Sequence, residues 1–149
     1  VIGKYNKTFE ILWRDCDLNG HARHTCYLDY AAHLRFAFME DHGLTRDVLK
    51  ELKIGPILLT EEARYLREVM LHDKITVDYW LMAEATDGSR WKLRHNFYNS
   101  AGKRAVRLTI TGGWLHMEDR KLVVPPPHLR EVFNSIPKDK NFHELGALR

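Results

Sequence analysis

Cysteine and proline are scarce in this chain, and long apolar runs are missing. Only two cysteines, Cys16 and Cys26, occur in 149 residues. That is too few for a disulfide framework, so both read as reduced thiols of a cytoplasmic protein. No apolar run approaches the roughly 18 residues needed to cross a bilayer, which excludes a helical membrane span. Val1 to Lys7 has no apolar core and does not read as a secretory signal. Blocks of like charge are also absent. The 23 basic and 20 acidic residues are interspersed and leave a formal net charge of +3, which argues against a nucleic-acid-binding tail. A mild basic excess does suit a small ligand that carries phosphate. No internal repeat and no linker-like shift in composition interrupts the chain. Low complexity is confined to the triplet Pro125-Pro126-Pro127. With 44% hydrophobic and 29% charged residues, the composition is that of a folded globular protein, and residues 1–149 read as a single domain. The tail from about residue 137 reads as loosely held.

The densest chemistry lies in Asp15-Cys16-Asp17-Leu18-Asn19-Gly20-His21-Ala22-Arg23-His24. Two carboxylates and two imidazoles fall within ten residues, with a glycine where the backbone can turn. The stretch from Thr25 to His42 has few turn residues and reads as one helix. Reactive side chains leading into a helix N-terminus sit beside outward-pointing amide N–H groups, which favour developing negative charge.

Around this segment the pattern is strand, helix, then antiparallel meander. Thr8 to Arg14 is rich in β-formers. The helix repeats Tyr27, Ala31, Leu34 and Phe38 at helical spacing. Leu28, Ala32, Phe36, Ala37 and Met39 add apolar residues on other faces, so the helix reads as wrapped by other structure. Thr45 to Leu52 reads as a short second helix with Thr45 as its cap. Ile57 to Val69 is strand-like, weakened by Glu61-Glu62-Ala63-Arg64. Lys74 to Ala85 alternates, with Ile75, Val77, Tyr79, Leu81 and Ala83 on one face and Thr76, Asp78, Trp80, Met82 and Glu84 on the other. Asp87-Gly88 marks a hairpin turn. Arg90 to Asn99 alternates again, with Trp91, Leu93, His95 and Phe97 opposite Lys92, Arg94, Asn96 and Tyr98. Arg104 to Met117 is the last long strand, and Gly112-Gly113 marks a bulge or a close backbone approach. His128 to Ile136 reads as a short helix.

The run Asp-x-Asp-x-x-Gly-His, followed by a helix that begins near Tyr27-Leu28, resembles the opening of hot-dog thioesterases. The nearer likeness is to the 4-hydroxybenzoyl-CoA thioesterase group and bacterial acyl-CoA thioesterases. The resemblance covers roughly Thr8 to Met117. It implies an α+β hot-dog fold, a curved antiparallel sheet around a long central helix. Carried across by position, it places Asp17 on the catalytic aspartate and Gly20 on the following glycine. His24 falls where members of the group carry His, Asn or Tyr, and Tyr27 on the aromatic at the helix start. His21 falls on the histidine of a Gly-His-Val-Asn-Asn version, which here reads Gly20-His21-Ala22-Arg23-His24.

The resemblance implies hydrolysis of an acyl- or aryl-CoA to free acid and CoA. Asp17 would attack the carbonyl or activate water, a backbone N–H near His24 would polarise the carbonyl, and the His24 side chain would orient the substrate or water, or else cap the helix. Tyr27 and Tyr30 are candidates for the acyl pocket, and Gly20 and His21 for substrate contacts. Arg90, Lys92 and Arg94 are candidates for the CoA phosphates. No metal or separate cofactor is implied, CoA being part of the substrate. Zinc on Cys16, His21, His24 and Cys26 was weighed and set aside, because the ligands are crowded and lack paired Cys-x-x-Cys spacing.

Each candidate also has a structural reading. Asp17 fits a turn or helix cap, Asp15 a loop brace, His21 a packed loop histidine and Asn19 a left-handed turn position. Two rival functions remain at this level. One is a hot-dog enoyl-CoA hydratase or dehydratase, although Asp17 to His21 is one residue shorter than that motif and lacks its proline. The other is a non-catalytic acyl-CoA-binding domain. An acyl-carrier thioester is an alternative substrate. Self-association as a homodimer or homotetramer is expected from the exposed sheet edge and from the resemblance.

Overall fold

β1 (Asn6–Glu10) and a short 3-10 turn at Trp13–Asp15 precede α1 (Cys26–Asp41) and α2 (Arg46–Leu52) in a computed structural model describing residues 1–149. Five strands follow: β2 (Ile54–Tyr65), β3 (Lys74–Asp78), β4 (Trp80–Ala85), β5 (Arg90–Tyr98) and β6 (Arg104–His116). β7 (Lys121–Leu122), α3 (Pro127–Asn134) and β8 (Lys138–Leu145) complete the chain.

One sheet holds all eight strands. β6 pairs with β2 on one side and β5 on the other. Beyond β5, β3 and β4 run end to end as a single strand interrupted at Tyr79. Its outer edge is divided between β1, antiparallel to β3, and β8, parallel to β4. β2 pairs only with β6, so its outer edge is open along a 12-residue strand.

Alternation decides which side chains face inward. On β5, Trp91, Leu93, His95 and Phe97 are buried while Lys92 and Arg94 lie on the outer face, as the period of two requires. In β4 the alternation expected from the sequence fails. A register shift between Leu81 and Ala83 places Glu84 opposite Trp91, on the inner face and away from Asp78 and Trp80. Cys26, Tyr27, Ala31, Leu34 and Phe38 of α1 are buried in the core. The helix is not wrapped on all sides, however. A single sheet covers only one side, and Ala32, His33 and Phe36 are exposed.

Several boundaries differ from expectation for local reasons. β1 starts earlier and ends at Glu10, because Ile11 donates to Asp73 O and leaves the strand. β2 continues through Glu61-Glu62-Ala63-Arg64, since an edge strand exposes both charge and Pro56 without cost to a ladder. α2 is capped as expected, with Val48 N donating to Thr45 Oγ1 at 3.3 Å. Gly112 and Gly113 sit in continuous register with Trp91 and Arg90, the extra residue lies on β2 between Leu58 and Thr60 opposite Gly112 and Thr111, and the glycines mark a close backbone approach. A Cβ on Gly112 would collide with the Ile57 carbonyl and the Trp91 ring, and one on Gly113 would lie 2.8 Å from Ser89 O. The tail expected to be loosely held is a strand. Leu81 N donates to Pro137 O, Thr86 N donates to Leu145 O, and Phe142 packs against the core. Its sequence carries little β signal, and the ladder comes from the free edge of β4.

Candidate active site

The Asp/His segment folds as a tight loop closed on itself. Cys16 bridges to Ala22, Asp17 N donates to His21 O at 2.8 Å, and Gly20 N donates to Asp17 O at 3.1 Å. Gly20 takes the left-handed conformation at φ 76°, the position that the sequence had suggested for Asn19. The loop is fastened to the segment after β2, with Ala22 N donating to Val69 O and Leu71 N to Gly20 O.

Within this loop the Asp17 carboxylate is divided. Oδ1 accepts from Asn19 N at 2.8 Å and His21 N at 3.1 Å, the brace expected of a turn aspartate. Oδ2 has no partner within the chain. The residue is exposed and lines an open groove of about 640 Å³ together with Trp13, Arg14, Cys16, Leu18, Gly20 and Leu71. One oxygen thus fixes the group and the other is available to react.

Neighbouring residues hold the loop on α1. Asp15 Oδ2 accepts from the Tyr30 hydroxyl at 2.7 Å, and Asp15 O accepts from Arg23 N at 2.6 Å. Tyr30 stacks on Phe9 with ring centroids 4.7 Å apart. Burial, and then this bond to Asp15, push its phenol pKa up. Tyr30 therefore braces Asp15. Tyr27 is buried edge-on against Phe97 at 5.2 Å. His21 Nε2 lies 3.3 Å from Glu68 Oε2, while the carbonyl of the exposed His24 accepts from the Tyr65 hydroxyl at 3.2 Å. Thr25 provides no cap, because its Oγ1 accepts from Arg23 Nε. The amides of Tyr27 and Leu28 find no acceptor within the chain, which leaves the positive end of α1 open.

The basic candidates separate. Arg90 Nη2 donates to Gly146 O at 2.5 Å and ties down the C-terminal segment. Lys92 and Arg94 lie on the outer face of the sheet with Arg104, which clusters with them near the last two turns of the sequence, and with two arginines that nothing in the sequence singles out, Arg64 and Arg107. Arg64 is directly opposite Arg107. The Arg107 guanidinium is pushed below its ordinary pKa, by burial first and then by Arg104, Arg94 and Arg64. Its Nε is buried without a partner. Glu62, 3.5 Å from Arg64, is the one carboxylate paired with any of these four arginines. The outward positions of β2 and β6 carried the signal, but it requires the strand register.

The cysteines have no convergent role. Cys26 is fully buried, and burial pushes its thiol up to about 12, which leaves it inert as a nucleophile at neutral pH. Cys16 Sγ donates to Leu12 O. No helix is long and apolar enough to cross a membrane.

A curled antiparallel sheet packed on one long helix, with an aspartate loop at the helix N-terminus, is the hot-dog arrangement. The model of the thioesterase-like superfamily matches residues 11–133, and the chain belongs to that family. No curated protein matches it. Among solved structures it is similar to a Staphylococcus aureus protein in complex with CoA, at 20% identity and a TM-score of 0.80, covering 90% of this chain and 84% of that one. It is also similar to a 1,4-dihydroxy-2-naphthoyl-CoA thioesterase from Synechocystis, at 11% identity, TM-score 0.79 and coverage of 89% and 97%. A DHNA-CoA thioesterase from Staphylococcus aureus matches at 14% identity, TM-score 0.77 and coverage of 87% of each chain.

Proposed function

We propose that this chain hydrolyses the thioester of an acyl- or aryl-CoA, with Asp17 as the reacting carboxylate. The observation that carries this reading is the division of labour at Asp17, one oxygen braced by two amides and the other free in an open groove, in the loop that leads into α1. Oδ2 attacks the carbonyl carbon or takes a proton from an attacking water. Negative charge then grows on the carbonyl oxygen, where backbone N–H groups at the start of α1 stabilise it. The C–S bond breaks and CoA leaves as a thiolate, which is a good leaving group and needs no strong general acid; on the direct-attack route water then cleaves the acyl–Asp17 anhydride, releasing the free acid and restoring the carboxylate. The arginine group formed by Arg64, Arg94, Arg104 and Arg107 supplies cations for the CoA phosphates. Arg67 adds a further guanidinium beside it, with Nη1 donating to Arg104 O at 2.7 Å.

The open β2 edge, together with exposed Leu58, Leu59 and Phe36, supports a homodimer in which two β2 strands pair. Light scattering at micromolar concentration should give twice the chain mass, and a strictly monomeric mass would remove that arrangement.

The decisive measurement is thiol release from short, long and aryl acyl-CoAs by wild type and Asp17→Asn. Hydrolysis that falls by orders of magnitude in the variant supports the assignment. Full activity in the variant, or no hydrolysis of any thioester by wild type, overturns it.

A further inference from the structure

A second cavity, of about 180 Å³, lies between the second half of α1 and the sheet. Its walls are mostly apolar, with Met39, Ile57, Leu93 and Phe133 among them, but Arg35 and Tyr79 also face it. Arg35 Nη1 is 3.0 Å from His95 Nε2. His95 Nδ1 is 2.8 Å from the Asp78 carbonyl and must donate to it, so Nε2 accepts from Arg35. No other guanidinium N–H of Arg35 has a partner, and no carboxylate lies within ion-pairing distance. Glu61 acts on Arg35 through space without forming an ion pair. The Tyr79 hydroxyl makes no hydrogen bond. The indole N–H of Trp91, another lining residue, is buried and unpartnered. Buried polar groups are nearly always satisfied. Arg35 and Tyr79, two side chains with unused donors facing one apolar cavity, one of them a cation, define a place for an anionic acceptor.

The cavity and the Asp17 loop of one chain lie at opposite ends of β2. The cavity is at Pro56–Leu58, and the loop is fastened near Tyr65, roughly 25 Å further along the strand. Antiparallel pairing of two copies along the open β2 edge reverses those ends and brings the loop of the second copy beside this cavity.

We propose that the cavity takes the far end of the acyl group and that this end carries a carboxylate, so that the substrate is the CoA thioester of a short dicarboxylic acid. The inference rests on the thioesterase reading and deepens it. The reacting carboxylate comes from one copy and the selecting guanidinium from the other. The volume suits a chain of a few carbons, since a cavity of about 150 Å³ already admits benzene. Arg35 pairs with the carboxylate, Tyr79 donates a second bond, and His95 positions Arg35.

The test compares kcat/KM for succinyl- and glutaryl-CoA with that for butyryl- and valeryl-CoA. Wild type should favour the carboxylated member of each pair by roughly tenfold or more. Arg35→Gln, which keeps an oxygen and an N–H near His95, should collapse that ratio towards one. Tyr79→Phe removes only a hydroxyl and should lower the ratio even if the first variant fails to fold. Equal or better hydrolysis of the neutral thioesters by wild type overturns the proposal and leaves the thioesterase reading intact. If no thioester is hydrolysed, the thioesterase reading falls, and thermal melting with free valerate against neutral valeramide decides the cavity. Stabilisation by valerate alone, weakened in Tyr79→Phe, supports the anion site, and no difference between the two removes it.

Discussion

Arg35 donates to a histidine that has to stay neutral. His95 is fully buried, accepts from Arg35 at 3.0 Å, and is pushed down to about 3 by burial and by that guanidinium. The unfolded imidazole titrates near 6.5. Between these values the unfolded chain binds the proton and the folded chain does not, so the contribution of His95 to stability is full above about 6.5 and is lost as the pH falls towards 3. Asp78 and Glu84, both pushed up by burial, act in the opposite sense in acid. Urea midpoints for wild type and His95→Gln should therefore converge as pH falls from 7 to 5. Parallel curves would show that His95 titrates alike in the folded and unfolded chain.

Asp17 has a structural task separable from its chemistry. Asp17→Asn keeps an oxygen at Oδ1 for the amides of Asn19 and His21, so its melting temperature should match wild type. Asp17→Ala loses both acceptors and should cost about 1 kcal/mol. Both variants should be inactive. An unfolding series on the three proteins checks the split.

Arg107 faces Arg64 across the β2–β6 ladder, and like charges directly opposite are destabilising. Arg107→Gln should therefore be neutral or raise the melting temperature at low salt. It should also raise KM for a CoA thioester, with little change for a truncated thioester lacking the nucleotide. An unchanged KM would return this patch to a plain solvated sheet face.

Gly112 leaves no room for a side chain between the Ile57 carbonyl and the Trp91 ring. Gly112→Ala must push β2 or Trp91 aside, and overpacking of that kind costs about 1–3 kcal/mol. The variant should melt markedly lower than Gly102→Ala, where nothing lies within 4 Å of an added Cβ and only the backbone conformation is disturbed. Equal losses would mean that β2 yields easily there.

The sequence carried much of this arrangement through periodicity. Tyr27, Ala31, Leu34 and Phe38 declared the buried stripe of α1, and Trp91, Leu93, His95 and Phe97 the inner row of β5. The loop from Asp15 to His24 was legible because its chemistry is contiguous. Arg35, Tyr79 and His95 were not, because they lie on three elements and meet only after the sheet closes on the helix. His95 looked like one more member of an apolar row, and no local pattern singles out Arg35. Glu84 was placed on the wrong face because a register shift has no residue signature in Leu81-Met82-Ala83. β8 was missed because its polar sequence gains its ladder from a neighbour and not from its own side chains.

That last strand limits how far the molecule can polymerise. An isologous β2–β2 pair consumes the β2 edge of both copies, which leaves β1 and β8 as the outer strands of the other margin. Both are short, and β8 carries Lys138, Asp139, Lys140 and Glu144, charges that discourage a further strand. Removal of the chain from Lys138 onward would bare the more apolar β4 in its place, turning a species that terminates into one that can propagate.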